Sequence, residues 1–104
     1  MNKNILINKI SQSIKHYEPN AQVFLYGSRA RGDNKENSDW DILILLDRPS
    51  ITNSIEDKLR VPLYDIELES GQIISALIYP KKYWYETLKY SPLYKNIERE
   101  GKAI

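Results

Sequence analysis

No cysteine occurs in the 104 residues, so the chain has no disulfide framework, no thiolate metal site and no cysteine nucleophile. Net charge is nearly absent too. Fifteen basic and 14 acidic side chains leave +1, which gives no global field for nucleic acid or an anionic membrane surface. Direct nucleic-acid binding is therefore not expected, and any phosphate binding has to be local. No stretch approaches the roughly 20 apolar residues of a membrane span, and the opening Met1-Asn2-Lys3-Asn4-Ile5 lacks the apolar run of a signal peptide. The expectation is a chain without membrane contact and with a cytoplasmic location. Histidine occurs once, at His16 beside Tyr17, which suits a helix end or a surface better than catalysis or a metal.

What is present is ordinary for a globular chain: 41% hydrophobic and 28% charged residues. The length supports a modest core and a single domain over residues 1–104. Leu6, Ile10 and Ile14 fall at helical spacing over residues 3–17, and Glu18-Pro19-Asn20 ends that pattern. Val23-Phe24-Leu25-Tyr26 reads as a short buried strand ending at Gly27. Trp40-Asp41-Ile42-Leu43-Ile44-Leu45-Leu46 reads as a central strand covered on both faces. A second helix is expected to open near Asn53, with Glu56 completing a capping box, and Pro62 should kink or divide it before Gly71. Residues 73–79 form a third predicted strand, and two short helical pieces, 82–90 and 94–100, complete the domain. The order implies an α/β or α+β fold with a small mixed sheet flanked by helices.

The segment that carries chemistry is Gly27-Ser28-Arg29-Ala30-Arg31-Gly32, followed by Ser38-Asp39-Trp40-Asp41. A glycine directly after a strand lets the backbone turn sharply and approach a ligand. Ser28 can open a short helix whose free amides and hydroxyl favour an anion, and Arg29 and Arg31 add planar cationic donors suited to phosphate. Asp39 and Asp41, two apart at the start of a strand, direct their side chains to one face. Such close like charges repel, and a divalent cation resolves the conflict. Hard carboxylate oxygens select Mg²⁺, which keeps waters and takes substrate phosphate oxygens. A phosphate cradle beside a Mg²⁺-ready pair is the layout for nucleotidyl or phosphoryl transfer. Ser38 suits either a cap on the Asp39 turn or a ligand contact.

Gly-Ser, ten intervening residues, then Asp-x-Asp resembles the DNA polymerase β-like nucleotidyltransferases. The local form GSRARG…SDWDILIL is similar to their smallest branch, the minimal nucleotidyltransferases or MNT proteins, over about twenty-five residues from Val23 to Asp47. The resemblance implies the polymerase β-like fold, with Gly27 and Ser28 on the triphosphate of ATP. It implies Mg²⁺ on the catalytic Asp39 and Asp41, and Arg29 and Arg31 near phosphate or as props of the loop. In the family a third acid on the next long strand completes the site. Here that strand reads Ile74-Ser75-Ala76-Leu77-Ile78, which puts Ser75 at that position, with Glu67 or Glu69 as a candidate replacement.

The resemblance further implies transfer of AMP to a hydroxyl of a partner protein. Minimal members are commonly paired with a helical HEPN-type toxin, on which a tyrosine is the acceptor and the MNT protein the antitoxin. No acceptor-binding domain is evident beside the core, so the acceptor is expected with a partner or through a homo-oligomer. Two readings stand beside this one: a weak or inactive MNT domain that neutralises its partner by binding, and a small-molecule adenylyltransferase. The aromatic cluster Tyr79, Tyr83, Trp84, Tyr85, Tyr90 and Tyr94 suits helix-on-sheet packing or a partner surface.

Overall fold

The computed structural model describes all residues, 1–104. Its elements run α1 (Lys3–Tyr17), β1 (Gln22–Tyr26), α2 (Ser28–Arg31), β2 (Trp40–Leu46), α3 (Asn53–Ser70) and β3 (Ile74–Pro80). A π-helical turn (Tyr83–Thr87), α4 (Pro92–Glu100) and β4 (Lys102–Ala103) follow. The strands form one mixed sheet in the order β3-β2-β1-β4. β2 pairs antiparallel with β1 and parallel with β3, and β4 pairs antiparallel with β1.

β2 is the axis of the molecule because it is apolar on both faces. Ile42, Ile44 and Leu46 join Val23, Leu25 and the inner stripes of α1 (Leu6, Ile10, Ile14) and α3 (Leu59, Leu63, Ile66) in one buried cluster. Leu43 and Leu45 point the other way, to Trp84 of the π turn and Ile97 of α4, with Phe24, Tyr26, Leu77 and Tyr79 around them. Strand alternation therefore places Asp41 on the second face, in line with Leu43 and Leu45.

Several local expectations are corrected. α3 is one unbroken helix through Pro62. An interior proline costs about 3 kcal/mol, but burial of Leu59, Leu63 and Ile66 continues on one face across it, each contributing roughly 1.5–3 kcal/mol. The cap is Thr52, whose hydroxyl accepts from Ile55 N–H at 3.2 Å, and Glu56 pairs with Arg60 instead of closing a capping box. The piece over 82–90 is a π turn, closed by Leu88 N–H on the Tyr83 carbonyl at 3.1 Å. α4 starts two residues earlier than expected, at Pro92, because the Ser91 hydroxyl caps it on Tyr94 N–H. β4 is an addition to the expected elements. No helix is long and apolar enough to cross a membrane.

The aromatic residues divide between the two readings given above. Tyr79 stacks on Trp84 with ring centroids 5.8 Å apart, and Tyr94 lies tilted against Trp84 at 5.2 Å, whereas Tyr83, Tyr85 and Tyr90 are exposed. His16 is exposed and edges onto Tyr17 at 4.8 Å.

Candidate active site

The end of β1 and the start of β2 meet at the proposed cradle. Gly27 takes φ 74°, ψ −160°, a region open essentially to glycine alone. Its Cα lies against the Asp41 carboxylate: a Cβ there would fall 2.3 Å from Asp41 Oδ2. The reversal throws Ser28 into α2, whose first amides precede any intrahelical acceptor, and the Gly27 carbonyl takes the N–H groups of Ala30 and Arg31.

Register sets the neighbours of Asp41. Tyr26 lies across from it on β1 and Ser75 on β3, so Tyr26, Asp41 and Ser75 form one cross-strand row on one face. Ser75, the β3 member of this row, is exposed and neutral. Burial, then the charge of Asp39, raises the Asp41 carboxyl above its ordinary value. Arg31 works against that rise and Glu100 adds to it. Burial, then Asp41 and Tyr79, pushes the Tyr26 phenol up to about 12. Tyr26 is therefore a neutral donor at physiological pH.

Both arginines of the turn are engaged by protein. Arg29 donates to the Ser38 and Glu36 carbonyls at 3.0 Å and to Gln72 Oε1 at 3.3 Å, and its guanidinium lies 4.5 Å from the centre of the Trp40 ring. Trp40 Nε1 donates to the same Gln72 oxygen at 3.1 Å. Arg31 donates to Asp33 Oδ2 at 3.1 Å and to Glu100 Oε2 at 2.9 Å. These bonds tie both side chains to the loops around the turn. Ser38 likewise serves its own turn, its hydroxyl accepting from Lys35 N–H at 2.9 Å.

The alternative third acids are occupied elsewhere. Glu67 Oε2 accepts from Ile74 N–H at 2.9 Å and so caps the start of β3, while Glu69 pairs with Lys9. Asp65 is exposed. The residue that sequence reading missed is Glu100, whose Oε1 accepts from Gly27 N–H at 3.2 Å. No motif spacing points to it, because its place depends on β4 pairing back onto β1.

The donors present suit a cation held by two carboxylates, Asp39 and Asp41, whose mutual repulsion a Mg²⁺ ion would relieve. No group of three or more histidine, cysteine or acidic side chains gathers to hold a metal. The roomiest concavity, about 620 Å³, is lined by Lys35, Glu36, Asn37, Gly71, Gln72 and Ile73 and does not include the pair. Neither does one lined by Glu18, Asn20, Asp47 and Arg48, nor one lined by Met1, Lys3, Arg29 and Trp40.

The family model described as nucleotidyltransferase domain matches residues 7–104. A crystal structure described as a toxin-antitoxin with AMP-PNP contains a chain of similar fold, with a TM-score of 0.66 and 18% identity. The similarity covers 92% of this chain and 69% of that one. No curated protein sequence matches. With a mixed sheet flanked by helices, the Gly-Ser turn against Asp41 and a family match over nearly its whole length, the chain belongs to the nucleotidyltransferase domain family, in the polymerase β-like fold and with the motif of the minimal branch.

Proposed function

We propose that the chain transfers AMP from ATP to a hydroxyl, a tyrosine hydroxyl foremost, of a partner protein, acting as antitoxin to a HEPN-type toxin. The observation that carries the transfer chemistry is the contact of the Gly27 turn with the Asp41 carboxylate. It brings the two halves of the motif, phosphate-holding backbone and acidic pair, to one point. Gly27 and Ser28 hold the phosphates. Asp39 and Asp41 hold the Mg²⁺, which when bound offsets triphosphate charge and polarises the phosphoryl oxygens. The acceptor hydroxyl oxygen attacks the α-phosphorus and its proton passes to solvent, while the bond from the α-phosphorus to the oxygen bridging to the β-phosphate breaks and pyrophosphate leaves. Arg29 and Arg31 act on this step by holding the loops that carry Ser28 and Asp39. The toxin-antitoxin description of a structural neighbour supports a protein partner, as does the open surface around Asp39.

One observation favours a second reading, a weakly active domain that neutralises its partner by binding. Ser75 fills the third place of the row and offers no base for the acceptor hydroxyl. Lack of a well-placed base lowers a rate by roughly 10²–10⁴. A transfer assay with labelled ATP, Mg²⁺ and the product of the adjacent reading frame separates the two. Metal-dependent label on the partner, lost in Asp39→Ala/Asp41→Ala, is the expected result. Neutralisation that survives the double substitution, with no label transferred, would establish the binding-only reading instead.

A further inference from the structure

We propose that Glu100 is a positioning residue for the phosphate-binding turn, an inference that rests on the nucleotidyl-transfer reading of Gly27, Ser28, Asp39 and Asp41. Its carboxylate bridges the two ends of α2. Oε1 accepts from Gly27 N–H at 3.2 Å, before the helix, and Oε2 accepts from Arg31 Nη1 at 2.9 Å, in its last residue. Both bonds are charge-assisted, the stronger class of hydrogen bond. The Glu100 side chain is only 12% exposed, whereas Arg31 is 46% exposed, so the carboxylate is the fixed member of the pair.

The sheet explains why a side chain is needed there. β4 pairs Ala103 with Phe24 and Lys102 with Leu25. Continuing that register sets Gly27 opposite Glu100, but the backbone has left the strand for α4 by then, so no carbonyl is available to Gly27 N–H. The carboxylate takes that place. Its own position is fixed from behind: Gly101 N–H donates to the Ile97 carbonyl at 2.7 Å, and Ile97 is buried against Leu43, Leu45 and Trp84. A Cβ on Gly101 would lie 2.6 Å from that carbonyl oxygen, so this tight turn needs glycine. The second core cluster thereby sets the orientation of a turn 73 residues earlier in the chain.

A residue that must hold both an amide and a guanidinium needs two acceptor oxygens, and a carboxylate provides them.

The opposite role is that of a placeholder, a carboxylate seated where phosphate belongs and displaced by it. The two roles predict opposite signs. Affinity for ATP–Mg²⁺, turnover with partner protein and exchange of the Gly27 amide are measured for wild type, Glu100→Ala and Glu100→Gln. Positioning predicts at least tenfold weaker ATP–Mg²⁺ binding in Glu100→Ala, at least tenfold faster exchange at Gly27, and unchanged protection at Ile44. Glu100→Gln, keeping one acceptor oxygen, recovers part of the affinity. Equal or tighter ATP–Mg²⁺ binding by Glu100→Ala would overturn the proposal, the tighter result in favour of a placeholder. Wild-type protein that binds no ATP–Mg²⁺ overturns the nucleotidyl-transfer reading itself, and is told apart because it appears before any substitution is made.

Discussion

The Asp41 carboxylate occupies the space that a side chain on Gly27 would need, with Oδ2 2.3 Å from the position of that missing Cβ. The Gly27 turn and Asp41 are thus in contact, so a change in one is felt in the other.

Gly27→Ala meets both obstacles together. The backbone conformation costs of order 1–3 kcal/mol for a residue with a side chain, and the new methyl must displace Asp41. Thermal unfolding should show that loss, and the stabilisation by Mg²⁺ and ATP should vanish. A variant that binds ATP–Mg²⁺ like wild type would break the link between turn and acid.

Asp41 gives the pH dependence. Its carboxyl is raised above the ordinary 3.8, so the folded chain binds this proton more tightly than the unfolded one. The stabilisation is present below the unfolded value and is lost as pH rises through the raised folded value. At neutral pH the ionised group is therefore a cost to the metal-free fold. Asp41→Asn should raise the melting temperature without metal and abolish the stabilisation by Mg²⁺. For wild type, Mg²⁺ at ten times its Kd should contribute about 1.4 kcal/mol. That gain should fade as acidification protonates the same carboxyl. Thermal melts with and without Mg²⁺ at neutral and acid pH test each sign.

Ser75→Asp tests the proposed role of the third position of the row. Ser75 sits in register with Asp41 and is exposed, so the fold should accept the new charge. Supplying the missing acid should raise Mg²⁺-dependent transfer by up to roughly 10²–10⁴. A partner-labelling time course reads this, and an unchanged rate would mean that the row does not mark the reacting centre.

Arg29→Ala removes bonds to two carbonyls and to Gln72, and the stacking on Trp40. Hydrogen bonds to a charged group contribute ~1.5–3 kcal/mol each, but Arg29 is only partly buried, so a net loss of about 1–2 kcal/mol is expected in denaturant melts. Arg29→Lys should recover little of it, because an ammonium cannot span those acceptors with a planar fork.

Much of this site is legible in the sequence because its parts are local. The unbroken apolar run of β2 announces a strand buried on both faces. A glycine after one strand and two aspartates at the start of the next mark the two segments that meet where Gly27 lies against Asp41. The position of Ser75 is readable too, since the parallel register of β3 with β2 follows from the helix between them. Pro62 misleads because propensity is a local quantity, whereas the burial of Leu59, Leu63 and Ile66 that keeps α3 whole is not. The protein partners of Arg29 are not legible, since they depend on where loop carbonyls such as Ser38 and Glu36 come to rest. Glu100 lay beyond reach for the same reason. A two-residue strand has no periodicity, and only its pairing with β1 brings that carboxylate to Gly27.

The mounting of Asp41 on β2 has a dynamic consequence. Ile42 to Leu45 are fully covered and paired on both sides, the setting in which amide exchange requires global unfolding. The acid is therefore anchored to the last segment to open. Gly27 and Ser28 lie beyond the end of β1, where smaller openings suffice. Substrate-linked motion should accordingly be confined to the phosphate side of the site, closing on an acid that stays still.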